Sequence, residues 1–457
     1  MAHRALRFRR ADVSTLAKPR MVNLRTLAAL RTATALSVSA LRTWAALRTS
    51  AVLSVSALRR SAVLRMSAVS IVLTLAACSA EAPGAPGAPG APGAPATERP
   101  AQPTPTRTDS SGEPVLPVLP VGEPVVIASG LLAPWSILRL PDGATLISER
   151  DTTRVQELLP DGSLREAGTV SAARPSGEGG LLGLAFLADA AAPGGAGWVY
   201  AYYTTAADNR IERMPLAGSP GSHALGPATL ILGSIPRAGN HNGGRIAFGP
   251  DGALYATVGD AGNAADAQNP NSLSGKILRM TPTGTVPEDN PFGTLVYSFG
   301  HRNPQGLAWD SRGQLWASEF GQNTWDELNR IVPGGNYGWP LVEGQAGDPS
   351  YIDPERQWST DEASPSGIAI VNDTIFMASL RGQRVWSIPI TDASTAAATA
   401  WFVHSFGRIR DVVSGPADTL WFVSNNTDGR GSAQAGDDRL YQVQLRDVGS
   451  LVVSEEP

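Results

Sequence analysis

The chain has 457 residues, a formal net charge of −4, 17% charged residues and one cysteine. A single cysteine excludes an intramolecular disulfide framework and a cysteine-rich zinc site, and the length allows several domains or one large β architecture. Residues 1–77 hold 13 Lys and Arg and one acidic residue, whereas residues 78–457 hold 24 basic and 40 acidic residues. The larger segment therefore carries −16, which gives no reason to expect a nucleic-acid partner.

The basic N-terminal segment, residues 1–77, ends in a pattern typical of an export signal. Arg59, Arg60 and Arg65 precede a short apolar run that ends in Leu75-Ala-Ala-Cys78. A positive region, a short apolar region and small residues at the cleavage point are the parts of a secretory signal, and this run is too short to span a bilayer. Residues 75–78 resemble the lipobox of bacterial lipoproteins, which implies lipidation of Cys78. We therefore expect an exported protein, either lipid-anchored at the outer face of the membrane or in the periplasm or extracellular space. The alternative is an inert, buried cysteine.

The segment after Cys78 differs in composition from the rest of the chain. Ala-Pro-Gly triplets and a stretch rich in Pro, Thr and Ser extend to about residue 120. Such a composition cannot bury a core and is typical of a disordered tether. The sequence therefore predicts a linker over 78–120, one folded domain over 121–448 and a short tail over 449–457.

One pattern recurs six times in the folded segment: an apolar triplet, a tight turn that often contains Asp-Gly, and a second apolar strand. Its copies begin at Ser136, Gly183, Arg245, Gly306, Gly367 and Asp411. Asp-Gly between apolar strands is a hairpin signal, and six regularly spaced hairpins predict an all-β, six-bladed β-propeller. Val125–Ala128 and Leu440–Leu445 are expected to pair and close the ring. The alternative is a β-sandwich or two smaller β domains.

Polar motifs concentrate between residues 240 and 340. The sequence lacks HExxH, a Cys/His cluster and GxSxG, so a histidine-ligated zinc and a hydrolase elbow are not expected. It contains Gly300-His-Arg-Asn-Pro-Gln-Gly306 and Gly334-Gly-Asn-Tyr-Gly-Trp-Pro340. These motifs and their order resemble the soluble-type PQQ-dependent glucose/sorbosone dehydrogenases, also called aldose sugar dehydrogenases, over about residues 124–444. The resemblance implies a six-bladed propeller, in agreement with the repeat, with PQQ and Ca²⁺ as cofactors.

The resemblance also implies which residues bind the three carboxylates of PQQ. Arginine suits this task because its guanidinium is always charged and forms planar, paired hydrogen bonds. The matching positions are Glu178, Arg302, Asn303, Arg381, Arg408 and Arg410. Glu178 stands where the best-known members carry glutamine, and Arg381 where several carry lysine. The alternative for each arginine is a solvated or ion-paired surface residue.

His241 matches the catalytic base of the family. A neutral imidazole whose pKa is near the working pH suits removal of a hydroxyl proton as hydride leaves the carbon. Arg245 and Asp260 are candidates for orienting His241, and His301 is expected to shape the funnel. The alternative for His241 is a turn or core histidine.

The resemblance implies two calcium sites, and calcium prefers oxygen ligands. The catalytic ion would be held by the main-chain carbonyls of Gly321 and Gln322, where the common pattern is Gly-Pro. A second, structural ion would use Glu327 and, ten residues later, the carbonyl of Tyr337. The alternative for Glu327 is an ordinary surface acid.

The predicted function is oxidation of an aldose at its C1 hydroxyl to a lactone, with electrons passing to an external acceptor that the sequence does not identify. A calcium-dependent propeller lactonase is one alternative, and a cofactor-free extracellular ligand-binding propeller is another. Fold alone does not separate these functions, so the site residues must decide. The retained histidine and the arginine cluster favour the dehydrogenase.

Overall fold

A computed structural model describes residues 115–391 and 394–449. The predicted leader with Cys78, most of the predicted linker and residues 450–457 lie outside the described residues. Within the described ranges, no helix has the length and apolar character needed to cross a bilayer.

The described residues form strands and one short 3-10 helix, Ala264–Gln268. The first strands in chain order are β1 (Val118–Ser129), β2 (Pro134–Arg139), β3 (Thr145–Glu149), β4 (Arg154–Leu158), β5 (Leu164–Thr169), β6 (Leu181–Ala188), β7 (Gly197–Thr204), β8 (Asn209–Ala217), β9 (Ala224–Leu225), β10 (Thr229–Ile235), β11 (Ile246–Phe248), β12 (Leu254–Val258), β13 (Lys276–Met280) and β14 (Val296–Phe299). They continue as β15 (Pro304–Trp309), β16 (Leu315–Glu319), β17 (Trp325–Ile331), β18 (Arg356–Ser359), β19 (Pro365–Val371), β20 (Thr374–Ser379), β21 (Arg384–Pro389), β22 (Thr399–Trp401), β23 (Ile409–Ser414), β24 (Thr419–Ser424) and β25 (Arg439–Asp447).

These strands build six antiparallel sheets arranged as blades. Blades 1 to 5 are β2–β5, β6–β10, β11–β14, β15–β18 and β19–β22, and blade 6 is β23–β25 with β1. The first strand of each blade, β2, β6, β11, β15, β19 and β23, contacts the first strand of the next, and β23 returns to β2. The predicted all-β, six-bladed propeller is therefore confirmed, and the six sequence repeats coincide with the inner hairpins.

The hairpin of β11 and β12 shows why the repeat folds as it does. Ile246 pairs with Ala256 and Phe248 with Leu254, so the apolar residues of both strands stay in register. The Asp251 carboxylate accepts from the amide of Ala253 at 3.1 Å. Gly252 has φ +76°, a conformation that glycine adopts without steric cost. Asp-Gly thus supplies both the turn acceptor and the left-handed residue.

The core lies between the faces of neighbouring blades. Tyr200 and Tyr202 of blade 2 belong to one buried cluster with Leu254, Ala256 and other residues of blade 3. Each fully buried large apolar side chain contributes roughly 1.5–3 kcal/mol. Equivalent clusters lie between the other blades, so the ring is stabilised by sheet-on-sheet packing around its circumference.

β1 closes the ring as the outermost strand of blade 6. It pairs antiparallel with β25, from Val118 opposite Asp447 to Ser129 opposite Arg439. We call the upper face the one that carries the loops between second and third strands and the loops that join consecutive blades. Arg439 begins β25 at this upper face, whereas the amide of Val118 donates to Thr374 Oγ1 beside the β19–β20 turn at the opposite, lower face. The chain therefore enters the propeller at its lower face.

A buried ion pair crosses the propeller axis, and we call it the axial ion pair. Arg245, just before β11 of blade 3, donates from Nη1 to Asp411 Oδ2 of blade 6 at 3.1 Å. Both side chains are buried, and the guanidinium lies 4.3 Å from the centre of the Trp135 ring. Blades 3 and 6 stand opposite each other, so the pair ties the two sides of the ring together. Arg245, a candidate for orienting His241, thus makes this ion pair instead.

Candidate active site

A cavity of about 270 Å³ opens at the upper face of the propeller, above the axial ion pair. Loops from all six blades line it, and nine of the residues predicted from the sequence are among the lining residues. These are Glu178, His241, Arg302, Asn303, Gly321, Gln322, Arg381, Arg408 and Arg410. Six separate segments of the chain therefore meet where the repeat and the motifs together predicted one site.

The cavity wall is strongly cationic. Its arginines are Arg150, Arg302, Arg381, Arg408, Arg410 and Arg430, and its carboxylates are Glu178 and Asp326. An excess of guanidinium groups in a partly enclosed space favours a ligand with several negative charges.

His241 is held at the cavity wall by a buried carboxylate. Its Nδ1 lies 2.7 Å from Asp260 Oδ1, while Asp260 also accepts from the amide of Gly262 and from Trp339 Nε1. Burial opposes ionisation of Asp260, but these donors outweigh it and hold the pKa of Asp260 below its ordinary value. The carboxylate fixes the proton on Nδ1, which leaves Nε2 as the basic nitrogen. Asp260 thus orients His241, as expected.

Glu178 acts on His241 from the main-chain side. Its Oε2 accepts from the amide of His241 at 2.8 Å, and its Oε1 accepts from Arg430 Nη1 at 2.9 Å. Burial opposes the ionised form, but these two donors keep the pKa of Glu178 below its usual range. His241 has φ +55°, an unfavourable conformation for a non-glycine residue. The Glu178 contact therefore stabilises the turn that presents the imidazole.

Arg408 and Arg410 share one carboxylate. Asp428 Oδ2 lies 3.1 Å from Arg408 Nη2 and 3.9 Å from Arg410 Nη2, and Arg410 also donates to Gln305 Oε1. Complete burial lowers the pKa of Arg410 to about 9. One carboxylate between two guanidinium groups leaves a positive surplus at this wall.

Arg302 and Asn303 come from the loop that joins blades 3 and 4. Arg302 Nη1 donates to the carbonyl of Phe320 at 3.1 Å, whereas its buried Nε has no hydrogen-bond partner among the described residues. Burial lowers the pKa of this guanidinium. Asn303 Oδ1 accepts from the amide of Gly243 at 3.0 Å, which ties the loop to the His241 turn. A buried donor without a partner at a cavity wall indicates a missing acceptor.

Glu343 organises the loop that contains Gly321 and Gln322. A single oxygen, Oε1, accepts from four consecutive amides at 2.7–3.2 Å, those of Gln322, Asn323, Thr324 and Trp325. Burial opposes ionisation, but the four amides outweigh it and lower the pKa of Glu343. With these amides turned toward Glu343, the loop has a fixed main-chain geometry.

Replacing Glu343 by alanine is expected to accelerate amide hydrogen exchange at Gln322–Trp325 by about 10- to 100-fold. The expected loss of about 1.5–3 kcal/mol follows from removing a charged acceptor that four amides share. Exchange measured by mass spectrometry on the loop peptide tests this.

Glu343→Gln is the matched control, since its amide oxygen keeps one neutral acceptor, and a smaller acceleration is expected. Unchanged exchange in the alanine variant would contradict the role given to Glu343.

Asp326 is the second carboxylate of the cavity lining. It is buried and lies beside Gly321, one of the residues predicted to bind calcium. Its Oδ1 accepts from the amide of Gly321 at 2.8 Å, and Oδ2 accepts from the amide of Ser364. Burial raises the pKa of Asp326 to about 6. This side chain therefore contributes less negative charge near neutral pH than an exposed aspartate.

Glu327 and Tyr337, predicted to bind a structural calcium, do not line the cavity. Glu327 is buried, and its oxygens accept from the amide of Gly344 and from Asn329 Nδ2. Burial and the neighbouring Glu319 raise the pKa of Glu327 to about 8. The Tyr337 ring stacks on His301, which pairs with Glu319. Among the described residues, no group of three or more His, Cys, Asp or Glu side chains is placed to hold a metal ion.

Sequence reasoning missed several cavity residues, and Arg150, Arg430 and Trp135 are among them. Arg150 and Arg430 lie in loops between second and third strands, where nothing local in the sequence marks a ligand contact. Aligning the six repeats could have identified both arginines, since Arg381 occupies the corresponding loop of blade 5.

Comparison with known proteins places this six-bladed propeller among the sugar dehydrogenases, which are oxidoreductases. More specifically, the chain belongs to the glucose/sorbosone dehydrogenase family, whose sequence model matches residues 131–435.

Solved structures of related proteins share the fold. The PQQ-bound form of an aldose sugar dehydrogenase from Streptomyces coelicolor is 48% identical, with a TM-score of 0.68 over 72% of this chain and 98% of that one. A putative glucose dehydrogenase from Thermus thermophilus is 39% identical, with a TM-score of 0.64 over 70% and 99% of the two chains. Quinoprotein glucose dehydrogenase B of Acinetobacter calcoaceticus is 33% identical over 260 residues, which are 50% of this chain and 54% of that protein.

Proposed function

We propose that this protein oxidises aldose sugars at the C1 hydroxyl to lactones, with PQQ and Ca²⁺ as cofactors. The observation that carries the proposal is His241, fixed by Asp260 at the wall of an arginine-lined cavity. The PQQ-bound Streptomyces relative and the quinoprotein from Acinetobacter support the choice of cofactor.

The donor set of the cavity fits PQQ, a planar tricarboxylate. Arg302 has an unused buried donor, and Arg408 and Arg410 share a single carboxylate. Arg381 is 60% exposed, and its ion-pair partner among the described residues is the exposed Asp361, so it is free to reorient toward an anion. Asn303 adds an uncharged amide at the same wall. When bound, PQQ supplies the quinone that accepts hydride from the sugar.

His241 is the group that moves the proton. Its Nε2 takes the C1 hydroxyl proton, while Asp260 keeps Nδ1 protonated and stabilises the imidazolium that forms. Glu178 holds the main chain of His241 in place and neutralises Arg430. These contacts hold His241 in place with carboxylates, so that Nε2 stays available as the basic nitrogen.

The main-chain carbonyls of Gly321 and Gln322 are the proposed ligands of the catalytic Ca²⁺. Glu343 fixes their loop, and the ion would supply Lewis-acid polarisation. Carbonyl oxygens suit a hard cation. The second calcium site, at Glu327 and Tyr337, is also a proposal, supported by the buried carboxylate of Glu327.

Adding PQQ and Ca²⁺ to the apoprotein is expected to produce dye-linked glucose oxidation. Treating the apoprotein with EDTA and then adding PQQ without Ca²⁺ is expected to give no oxidation. Steady-state rates and a spectral titration of PQQ are the measurements. Absence of PQQ binding and of oxidation of every aldose in a mono- and disaccharide screen would overturn the proposal. Lactone hydrolysis without an electron acceptor would instead favour the lactonase alternative.

The proposal includes export and anchoring through lipidated Cys78, supported by the lipobox resemblance in the sequence. Mass spectrometry of the N-terminal peptide of the mature protein tests for the lipid on Cys78.

A further inference from the structure

One tryptophan, Trp339, contacts both the carboxylate that orients His241 and an arginine of the cavity wall. Its indole Nε1 donates to Asp260 Oδ2 at 2.9 Å. The guanidinium carbon of Arg302 lies 5.6 Å from the centre of the indole ring, which is within the range of a cation–π contact. Trp339 is not among the residues that line the cavity. Any effect of Trp339 on the reaction would therefore pass through these two side chains.

The main chain of Trp339 is anchored independently of its side chain. Its amide donates to the carbonyl of Gly300 at 2.9 Å, and its carbonyl accepts from Gln268 Nε2 at 2.7 Å. Gln268 and Asn336 also exchange two side-chain hydrogen bonds, each of 2.9 Å. The loop that carries Trp339 is therefore tied to its neighbours by contacts that a change of the indole leaves in place.

The indole satisfies one particular oxygen of Asp260. Oδ1 lies 2.7 Å from His241 Nδ1 and accepts from the amide of Gly262 at 2.7 Å. Oδ2 accepts from Trp339 Nε1, the donor that reaches it among the described residues. Asp260 is buried, and a buried carboxylate oxygen that loses its donor raises the free energy of the folded state. Trp339 therefore helps to fix the orientation of the Asp260 carboxylate.

The donor to Asp260 Oδ2 is uncharged, although a cation lies close by. Arg302 Nη1 donates to the carbonyl of Phe320, and its buried Nε has no hydrogen-bond partner among the described residues. Burial lowers the pKa of Arg302, and the Asp260 carboxylate opposes that shift because the two charges attract each other. With the indole N–H on Asp260 and the indole ring against Arg302, the carboxylate keeps its charge for His241. The guanidinium stays available to an anionic ligand.

We propose that Trp339 is a positioning residue for sugar oxidation, which holds Asp260 on His241 and keeps Asp260 from pairing with Arg302. The inference rests on the proposed function, in which His241 is the base and Arg302 binds PQQ. Without the indole N–H, Asp260 would turn from His241 or accept from Arg302. Either change would weaken the stabilisation of the imidazolium that forms as Nε2 takes the proton.

Trp339→Phe keeps an aromatic ring against Arg302 and removes the donor to Asp260. It is expected to lower kcat by about 5- to 20-fold, while the PQQ dissociation constant stays within about twofold. Trp339→Leu also removes the ring and is expected to weaken PQQ binding by about 3- to 10-fold, because Arg302 can then turn to Asp260. Steady-state kinetics with a saturating aldose and a spectral titration of PQQ measure the two constants.

Trp198→Phe is the matched control, because Trp198 makes the same two kinds of contact away from the cavity lining. Its Nε1 donates to Asp189 Oδ2 at 3.0 Å, and the guanidinium carbon of Arg213 lies 4.2 Å from the centre of its ring. Both kcat and PQQ affinity are expected to stay unchanged in this variant. Urea unfolding of the three variants measures any general loss of stability.

The hydrogen bond itself is tested in the apoprotein, without PQQ. In a proton–nitrogen correlation NMR spectrum, the indole resonance of Trp339 is assigned by its absence from Trp339→Phe. Asp260→Asn is expected to shift this resonance and to accelerate exchange of the indole proton with solvent by about 10-fold. The resonance of Trp198 is expected to stay in place. This measurement does not depend on activity, so failure of the proposed function is distinguishable from failure of the positioning role.

An unchanged kcat in Trp339→Phe, or an equal loss in Trp198→Phe, would overturn the proposal. An indole resonance that does not respond to Asp260→Asn would overturn it too. A joint fall of kcat and PQQ affinity in Trp339→Phe would show a general packing role and would also contradict it.

Discussion

Replacing His241 by glutamine is expected to lower kcat by about 10²- to 10⁴-fold while PQQ remains bound. Glutamine fills a similar volume and can donate to Asp260, but it cannot accept the C1 hydroxyl proton. The arginines that are proposed to bind PQQ stand in other loops. Steady-state kinetics with a saturating aldose, together with a spectral titration of PQQ, measure the two effects separately.

Thermal unfolding of the same variant is the control for loss of stability. Glutamine must adopt the same turn with a positive φ as His241, so a changed fold has to be distinguished from a lost base. An unchanged kcat would refute the assignment of His241 as the base. A parallel loss of PQQ affinity would show that His241 acts chiefly on cofactor binding.

Replacing Arg245 by methionine is expected to lower the free energy of unfolding by about 3–5 kcal/mol, the usual cost of leaving a buried ionic partner uncompensated. Asp411 would then be buried without its guanidinium. Burial already raises the pKa of Asp411, and Arg245 opposes that shift. Urea unfolding at neutral pH measures the loss, which should shrink on acidification as Asp411 becomes protonated in the folded state.

The double variant Arg245→Met, Asp411→Leu is the matched control. It removes both charges and leaves no unpaired carboxylate, so we expect it to be more stable than Arg245→Met alone. A cost below about 1 kcal/mol for the single variant, or a double variant less stable than either single one, would contradict the axial ion pair as a structural tie.

Much of the fold could be predicted because each blade is a local unit. The turn of β11 and β12 needs only Asp251 and Gly252, which are adjacent in the chain and visible in the sequence. Six copies then fix the number of blades. Closure by β1 was predictable from a spare apolar strand at each end of the domain.

The contacts that form the site join residues that are far apart in the sequence, so no local sequence pattern predicts them. Arg430 is 252 residues from Glu178, and Arg245 is 166 residues from Asp411. Glu343 lies in a stretch with no motif, yet its carboxylate organises the loop of Gln322. Family motifs could identify His241 and Arg302, but the partners that set their charge and orientation emerge only when the ring closes.

The direction of β1 has a consequence for using this protein on a solid support. The chain enters the propeller at Val118 on the lower face, while the cavity opens on the upper one. A bead or electrode attached through the residues before Val118 would face the lower side of the propeller. Sugar and acceptor would then reach the opposite side from free solution, and N-terminal attachment is the preferred orientation for a biosensor.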